Sequence, residues 1–264
     1  MKTNKFLKSF VSVIVMCIFS AYGCGGYRPH LSRPGNAEDF ENYLNSTVAF
    51  VSIENTEMYG PYCTGFYISP RRLATAGHCV IPQEVEQSAI QRPVVGREIL
   101  FLDYSSDMAW RTMTAMQRIR LHVPHYIHSH VVGIDERNDI AIIELNEDEP
   151  DSEHWLQLRD ISAEPILVGE RVYSISNPTS TSWMFMEGLV SRVQIYESGD
   201  PIENHMRILH QVRIGPGSSG SELLDEDGRV IGVNVSITID GAFISLAVPV
   251  SYLQLLLQRI DSGE

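Results

Sequence analysis

The sequence predicts an all-β protein, a sandwich or barrel, and three observations point there. From Thr47 onward the chain is a series of short runs rich in Val, Ile, Tyr and Phe, broken by Gly, Pro, Asn and Asp, the pattern of half-buried strands separated by turns. An acidic stretch with a proline, Asn146–Glu153, divides these runs into two β-rich halves. After Pro249, Leu253, Leu256, Leu257 and Ile260 recur at helical spacing, with Ser251 placed to cap a terminal helix. Two β-barrels and a C-terminal helix account for all three.

In order, the expected strands are Val48–Ile53, Gly65–Ile68, Ile99–Leu102 and Asp139–Leu145 before the linker. After it come Arg171–Ile175, Gly188–Ile195, Met206–Val212, Val230–Ile237 and Ala242–Val248. No internal repeat or low-complexity tract interrupts them. The chain has 264 residues, enough to bury a sizeable core as one large or two small domains. Apolar residues at 44% and charged residues at 20% exclude a disordered chain.

The first 23 residues read as an export signal, residues 1–23. Lys2, Lys5 and Lys8 precede an apolar run, Phe10–Phe19, and small residues follow at Ala21 and Gly23. That run is shorter than the about 20 residues a membrane span needs. The formal net charge is −13, and loss of the basic start makes the remainder more acidic still. Such a chain repels phosphate backbones and anionic headgroups, so nucleic-acid binding is excluded as a working reading.

Cys17 would leave with the signal, so Cys24, Cys63 and Cys79 remain. In an oxidising compartment they make one disulfide and leave one thiol. Cys24 follows Gly23 directly, and two exits fit. Ala21-Tyr22-Gly23-Cys24 resembles a bacterial lipobox, with Ala21 where Leu is usual, and would give a lipidated Cys24 on a short tether. Ordinary signal-peptidase cleavage at Ala21-Tyr22-Gly23 fits equally. The expected location is the periplasm, the exterior or a lipid anchor at the envelope, with Cys24 the one membrane contact.

Three segments carry chemistry: Leu73–Cys79 around His78, Asn138–Leu145 beginning at Asp139, and Gly215–Ser221 around Ser219. A serine hydroxyl is a weak nucleophile and needs an imidazole to take its proton. The imidazole needs a carboxylate to hold one tautomer, and the tetrahedral intermediate needs backbone donors aimed at its oxygen. Gly217-Ser218-Ser219-Gly220 supplies a glycine-flanked turn, with the amides of Gly217 and Ser219 as those donors. Asp135 is a rival acid, but it lacks the apolar run after it that would seat Asp139 at a strand end. An α/β-hydrolase elbow is excluded, because position 221 is Ser and the order is His, Asp, Ser.

These segments resemble the signature regions of chymotrypsin-family peptidases: Thr/Ser-Ala-Ala-His-Cys, Asp-Ile-Ala-Leu and Gly-Asp/Asn-Ser-Gly. The resemblance covers about Thr47 to Ile260 and implies two six-stranded antiparallel barrels. It gives His78 the general-base position, Asp139 the orienting carboxylate and Ser219 the nucleophile. It also implies a Cys63–Cys79 disulfide around the histidine. The expected layout is an extension at 24–46, an N-terminal barrel at 47–146 with His78 and Asp139, and a C-terminal barrel with the helix at 147–264. The later half is similar to the HtrA-like and bacterial trypsin-like branch, through Ile214–Ser221, Asp225–Asn234 and Ala247–Tyr252. The expected architecture lacks a PDZ domain, since no residues follow the helix to form one.

What the resemblance implies is a serine endopeptidase acting on protein or peptide substrates through an acyl-enzyme, without a cofactor. A protease-like binding protein with a silent site is the alternative, disfavoured because all three groups are present. Digestive trypsins carry Asp where Ser218 stands, so their ion pair with a freshly cut N-terminus is unavailable here and no zymogen cleavage is expected. Gly77 and Ser221 replace a common Ala and Gly and are small enough to be tolerated. The primary pocket is expected from Arg213, Ile214 and the strand near Val235-Ser236-Ile237. Arg213 occupies the place of the acid that selects Lys or Arg, which points to neutral or acidic side chains unless Arg213 faces away. His122, His125, His128 and His130 match no standard zinc spacing and read as a surface strand and loop.

Overall fold

In the computed structural model, residues 37–54, 57–81, 94–112, 126–178, 182–196, 205–237 and 244–263 are described. They form two closed barrels of six antiparallel strands each. The expected signal segment, Cys24, His122 and His125 lie outside these residues. Among the described residues no helix is long and apolar enough to cross a membrane.

The first barrel comprises β1 (Thr47–Glu54), β2 (Glu57–Tyr67), β3 (Arg72–Ala76), β4 (Glu98–Asp103), β5 (Ile127–Asp135) and β6 (Ile140–Leu145). Its order is β1-β2-β3-β6-β5-β4, closed by pairing of β4 with β1. The second comprises β7 (Arg171–Ser176), β8 (Met184–Tyr196), β9 (His205–His210), β10 (Glu222–Leu224), β11 (Val230–Ile237) and β12 (Ser245–Pro249). Its order, β7-β8-β9-β12-β11-β10, repeats that of the first, so the topology is duplicated although the sequence shows no repeat.

Nine runs expected as strands lie within or overlap strands of the fold. The short β3 and β10, too brief to stand out between glycines and charges, were not anticipated. β5 takes in the surface strand read at His128 and His130, and its burial alternates along its length. β6 is buried on nearly every residue, because one face fills the barrel and the other meets the terminal helix. Phe50, Phe66 and Phe101 are fully buried, and Phe101 meets Phe50 and Tyr67 edge to face at 6.2 and 6.1 Å. Each such ring contributes about 1.5–3 kcal/mol by burial.

Two helices were not foreseen. α1 (Ala37–Ser46) occupies the last ten residues of the expected extension and runs directly into β1. α2 (Tyr104–Thr112) is inserted between β4 and β5. The terminal helix, α3 (Val250–Ser262), follows β12 without a loop. Pro249, not Ser251, is its capping residue: its φ of −58° leads from the strand into the helix, and no side chain caps the end. The expected linker at Asn146–Glu153 lies in the longer connection from β6 to β7, where Leu158 bridges Val230.

Candidate active site

β3 and β6 pair antiparallel with Ala76 opposite Ile140, so the residues just beyond this end of the ladder face each other. On one side the chain turns through a 3₁₀ segment, Gly77–Cys79, carrying His78. On the other stands Asp139, with φ at 61°, a left-handed conformation uncommon outside glycine. The His78 backbone N–H donates to Asp139 Oδ1 at 2.7 Å, and His78 Nδ1 lies 2.8 Å from Oδ2 and 3.1 Å from Oδ1. One carboxylate thus holds both the main chain and the ring. With Nδ1 as the donor, Nε2 of the neutral imidazole is the acceptor. A side chain at Gly77 would put its Cβ 3.1 Å from Ile140 N and 3.2 Å from Asp139 C, so alanine is a tight fit there.

Asp135 is committed elsewhere. Its carboxylate accepts from the backbone and side chain of Asn138 at 3.1 and 2.9 Å and from Arg259 of α3 at 3.2 Å. It braces the turn that presents Asp139. Cys63 and Cys79 are joined in a disulfide that closes a sequence separation of 16 around the histidine. Among the described residues the one convergent cluster of metal-type ligands is Cys63, His78 and Cys79, and its two sulfurs are consumed by that bond. His128 instead meets Glu98 at 2.7 Å and His130 meets Asn146 at 3.0 Å.

The Ser219 turn belongs to the second barrel yet is held by the first. Thr64 N–H donates to Ser219 O at 2.8 Å, and Cys79 Sγ lies 3.6 Å from the same oxygen. Gly217 and Gly220 both take positive φ, 94° and 87°. A Cβ at Gly220 would drive into Thr64 O and Thr75 Oγ1, and one at Gly217 into Asn177 O, so only glycine allows this approach. Within the turn Ser218 N–H donates to Gly215 O at 2.8 Å, Gly220 N–H to Asn234 O at 2.7 Å and Ser221 N–H to Ser218 O at 3.0 Å. The N–H groups of Gly217 and Ser219 have no acceptor among the described residues. Because a planar peptide sets C=O and N–H antiparallel, the tie on Ser218 O turns the Ser219 N–H away from the turn's interior.

Ser218 is fully buried; its hydroxyl accepts from Ser176 Oγ at 3.0 Å and from Gly215 N at 3.3 Å. Hydroxyl contacts thus occupy the position where an acid was absent. Thr64, Asn177 and Ser176, which sequence reasoning missed, surround the turn. Nothing marked them as site residues, since a lone Thr or Ser in a strand-forming run carries no pattern and Asn177 before Pro178 reads as an ordinary turn.

Arg213 is exposed and, with Pro178, Met184, Met186, Glu187 and Ile214, lines a groove of about 530 Å³. Val235 is buried and Ser236 exposed, and neither lines this groove; the Ile237 side chain lies outside the described residues. Of the expected pocket residues, Arg213 and Ile214 line this groove, and Val235 and Ser236 do not.

Comparison with known proteins agrees with this architecture. The model of the family described as "Trypsin-like peptidase domain" matches residues 63–233, well over half of the chain. Over 111 residues the chain is 32% identical to the Protease Do-like 1, chloroplastic, of Arabidopsis thaliana, covering 40% of this chain and 24% of that protein. Over 139 residues it is 31% identical to the periplasmic serine endoprotease DegP of Salmonella typhimurium, covering 51% and 28% respectively. The chain thus spans about a quarter of the length of these curated relatives. Among solved structures, a protease from M. tuberculosis in its active form superimposes with a TM-score of 0.58 at 20% identity, covering 84% of this chain and 83% of that one. The serine endoprotease from Yersinia pestis gives 0.58 at 13% identity, covering 84% and 65%. With the matched segment running from the disulfide cysteine on β2 to the middle of β11, the chain belongs to the trypsin-like peptidase domain family.

Proposed function

We propose that the protein is an exported serine endopeptidase in which Ser219 attacks the scissile carbonyl, His78 takes its proton and Asp139 holds the imidazole. The carrying observation is the double grip of Asp139 on His78, backbone N–H and ring Nδ1 together, with the Ser219 carbonyl tied to β2 and 3.6 Å from the sulfur of Cys79, the residue after His78. Asp139 fixes the tautomer with Nε2 as proton acceptor and stabilises the imidazolium formed during attack. The oxygen that becomes negative is received by the N–H groups of Gly217 and Ser219. His78 then returns its proton to the leaving amine, and water opens the acyl-enzyme by the same route in reverse.

Export is supported by the basic, apolar and small-residue order of residues 1–23 and by relatives named periplasmic serine endoproteases. The disulfide belongs to an oxidising compartment. Cys24 is the candidate for lipidation. Protein or peptide substrates follow from the family, with Arg213 and Ile214 as pocket residues favouring neutral or acidic side chains.

Labelling with a fluorophosphonate tests this reading. The mature protein is expected to take one adduct on Ser219, lost in Ser219→Ala and strongly slowed in His78→Ala. A folded, disulfide-intact sample that takes no adduct would overturn it.

A further inference from the structure

The hydroxyl of Thr64 has three hydrogen-bond partners. It donates to Gly217 O at 2.7 Å and accepts from Asn177 N at 3.1 Å and Asn177 Nδ2 at 3.2 Å. A hydroxyl offers one donor and two acceptor sites, so this group is saturated. Thr64 is also fully buried, and its N–H donates to Ser219 O at 2.8 Å. One residue of the first barrel thus grips the carbonyls on either side of Ser218, in the second barrel.

We propose that Thr64 is a positioning residue for the oxyanion turn, its hydroxyl holding Gly217 in the conformation that presents the Gly217 N–H to the substrate. The inference rests on the serine-endopeptidase reading above. Ser218 O is tied to Ser221 N at 3.0 Å and Ser219 O to Thr64 N at 2.8 Å, so those two peptide planes are fixed by backbone alone. The plane between Gly217 and Ser218 has its N–H on Gly215 O at 2.8 Å and its carbonyl on the Thr64 side chain. Gly217, at φ 94°, has backbone freedom that the two serines after it lack. Removing the hydroxyl leaves that plane on its N–H tie alone while the planes after it keep theirs, so Gly217 gains room to turn and its own N–H loses its aim. The same hydroxyl anchors Asn177, whose carbonyl a Cβ at Gly217 would strike, so the floor under Gly217 depends on it as well.

Two substitutions isolate the hydroxyl. Thr64→Val keeps shape and removes it; Thr64→Ser keeps it and trims a methyl. Thr64→Val is expected to lower kcat, and the fluorophosphonate labelling rate with it, about 10- to 100-fold while KM is held, since a misplaced group costs up to about 10²-fold. Thr64→Ser is expected to restore most of the rate. A readout that needs no activity accompanies these: hydrogen exchange measured on the peptide spanning Gly215–Ser221. Thr64→Val is expected to speed exchange there and leave β6 unchanged. Wild-type protein that takes no label would count against the peptidase reading, and the exchange comparison would still decide the role of Thr64. Equal rates and equal exchange in wild type and Thr64→Val would overturn the proposal. So would exchange rising as much in β6 as in the turn, because the hydroxyl would then be holding the fold rather than the turn.

Discussion

The indole Nε1 of Trp183 donates to Asp107 Oδ2 at 2.7 Å, joining α2 of the first barrel to the connection before β8 of the second. Asp107 is buried and also takes Arg111 at 2.6 Å, while Tyr104 meets the Trp183 ring edge to face at 5.5 Å. The Trp183 backbone N–H in turn donates to Asn177 Oδ1 at 3.0 Å, so this contact ends beside the Ser219 turn. Asp107→Ala is expected to cost about 1 kcal/mol, because the partly buried indole donor loses its acceptor and Arg111 its carboxylate. Asp107→Asn, which keeps an oxygen for the indole, is expected to lose less. Urea unfolding of the three proteins checks this, and equal losses for Ala and Asn would refute the hydrogen bond as the cause.

Asp139→Asn should leave the fold intact and lower kcat by about 10⁴-fold, because an amide can present N–H to Nδ1 and favour the wrong tautomer. Steady-state rates beside a melting curve make the test. Loss of activity with equal loss of melting temperature would make Asp139 structural instead.

Reduction of Cys63–Cys79, or the Cys63→Ser, Cys79→Ser pair, is expected to destabilise by about 3 kcal/mol for a loop of this size. It should slow labelling of Ser219 as well, since Cys79 directly follows His78. Denaturant midpoints with and without reductant report the first effect, and unchanged midpoints would sink it.

Glu222 is fully buried, with Oε1 accepting from Ile175 N at 2.7 Å, and burial pushes its carboxyl up to about 8 from an ordinary 4.5. The folded state therefore holds a proton that the unfolded chain releases, so stability falls as pH rises from about 4.5 through about 8. Glu222→Gln should flatten that decline, with a gain on the order of a few kcal/mol above pH 8 and little change at pH 4. His210 acts on the acid side: burial holds its imidazole down to about 4 from 6.5, so stability is lost as pH falls through that window. Unfolding midpoints across pH test both, and parallel curves for wild type and Glu222→Gln would contradict the first.

An N-terminally extended protein should be as active as one trimmed to Thr47. α1 runs unbroken into β1, and the buried Ser218 hydroxyl already has Ser176 and Gly215 as partners. Casein turnover by the two forms is the check, and activity appearing only after trimming would disprove it.

Most of the barrels could be read before any coordinates because their strands carry apolar runs between turn residues. β3 and β10 could not: Arg72–Ala76 is short and small-sided, and Glu222–Leu224 opens on a buried acid. α1 and α2 escaped because their faces are mostly polar and each is only about ten residues long, too short for a helical apolar spacing to stand out. The Asp139 contact to His78 was legible as a spacing of motifs, and the structure adds the ladder end that makes them meet. Thr64 was illegible for a different reason. Its partners Asn177 and Gly217 lie more than a hundred residues away, and a contact of that range leaves no mark on either neighbourhood.

The duplicated strand order has a consequence in time. His78 and Asp139 sit in the half made first and Ser219 in the half made last, and the threonine that grips the Ser219 turn belongs to the earlier half. Contacts so distant in sequence close late in folding. A chain still emerging would hold these groups apart, and they come together only when the second barrel closes against the first.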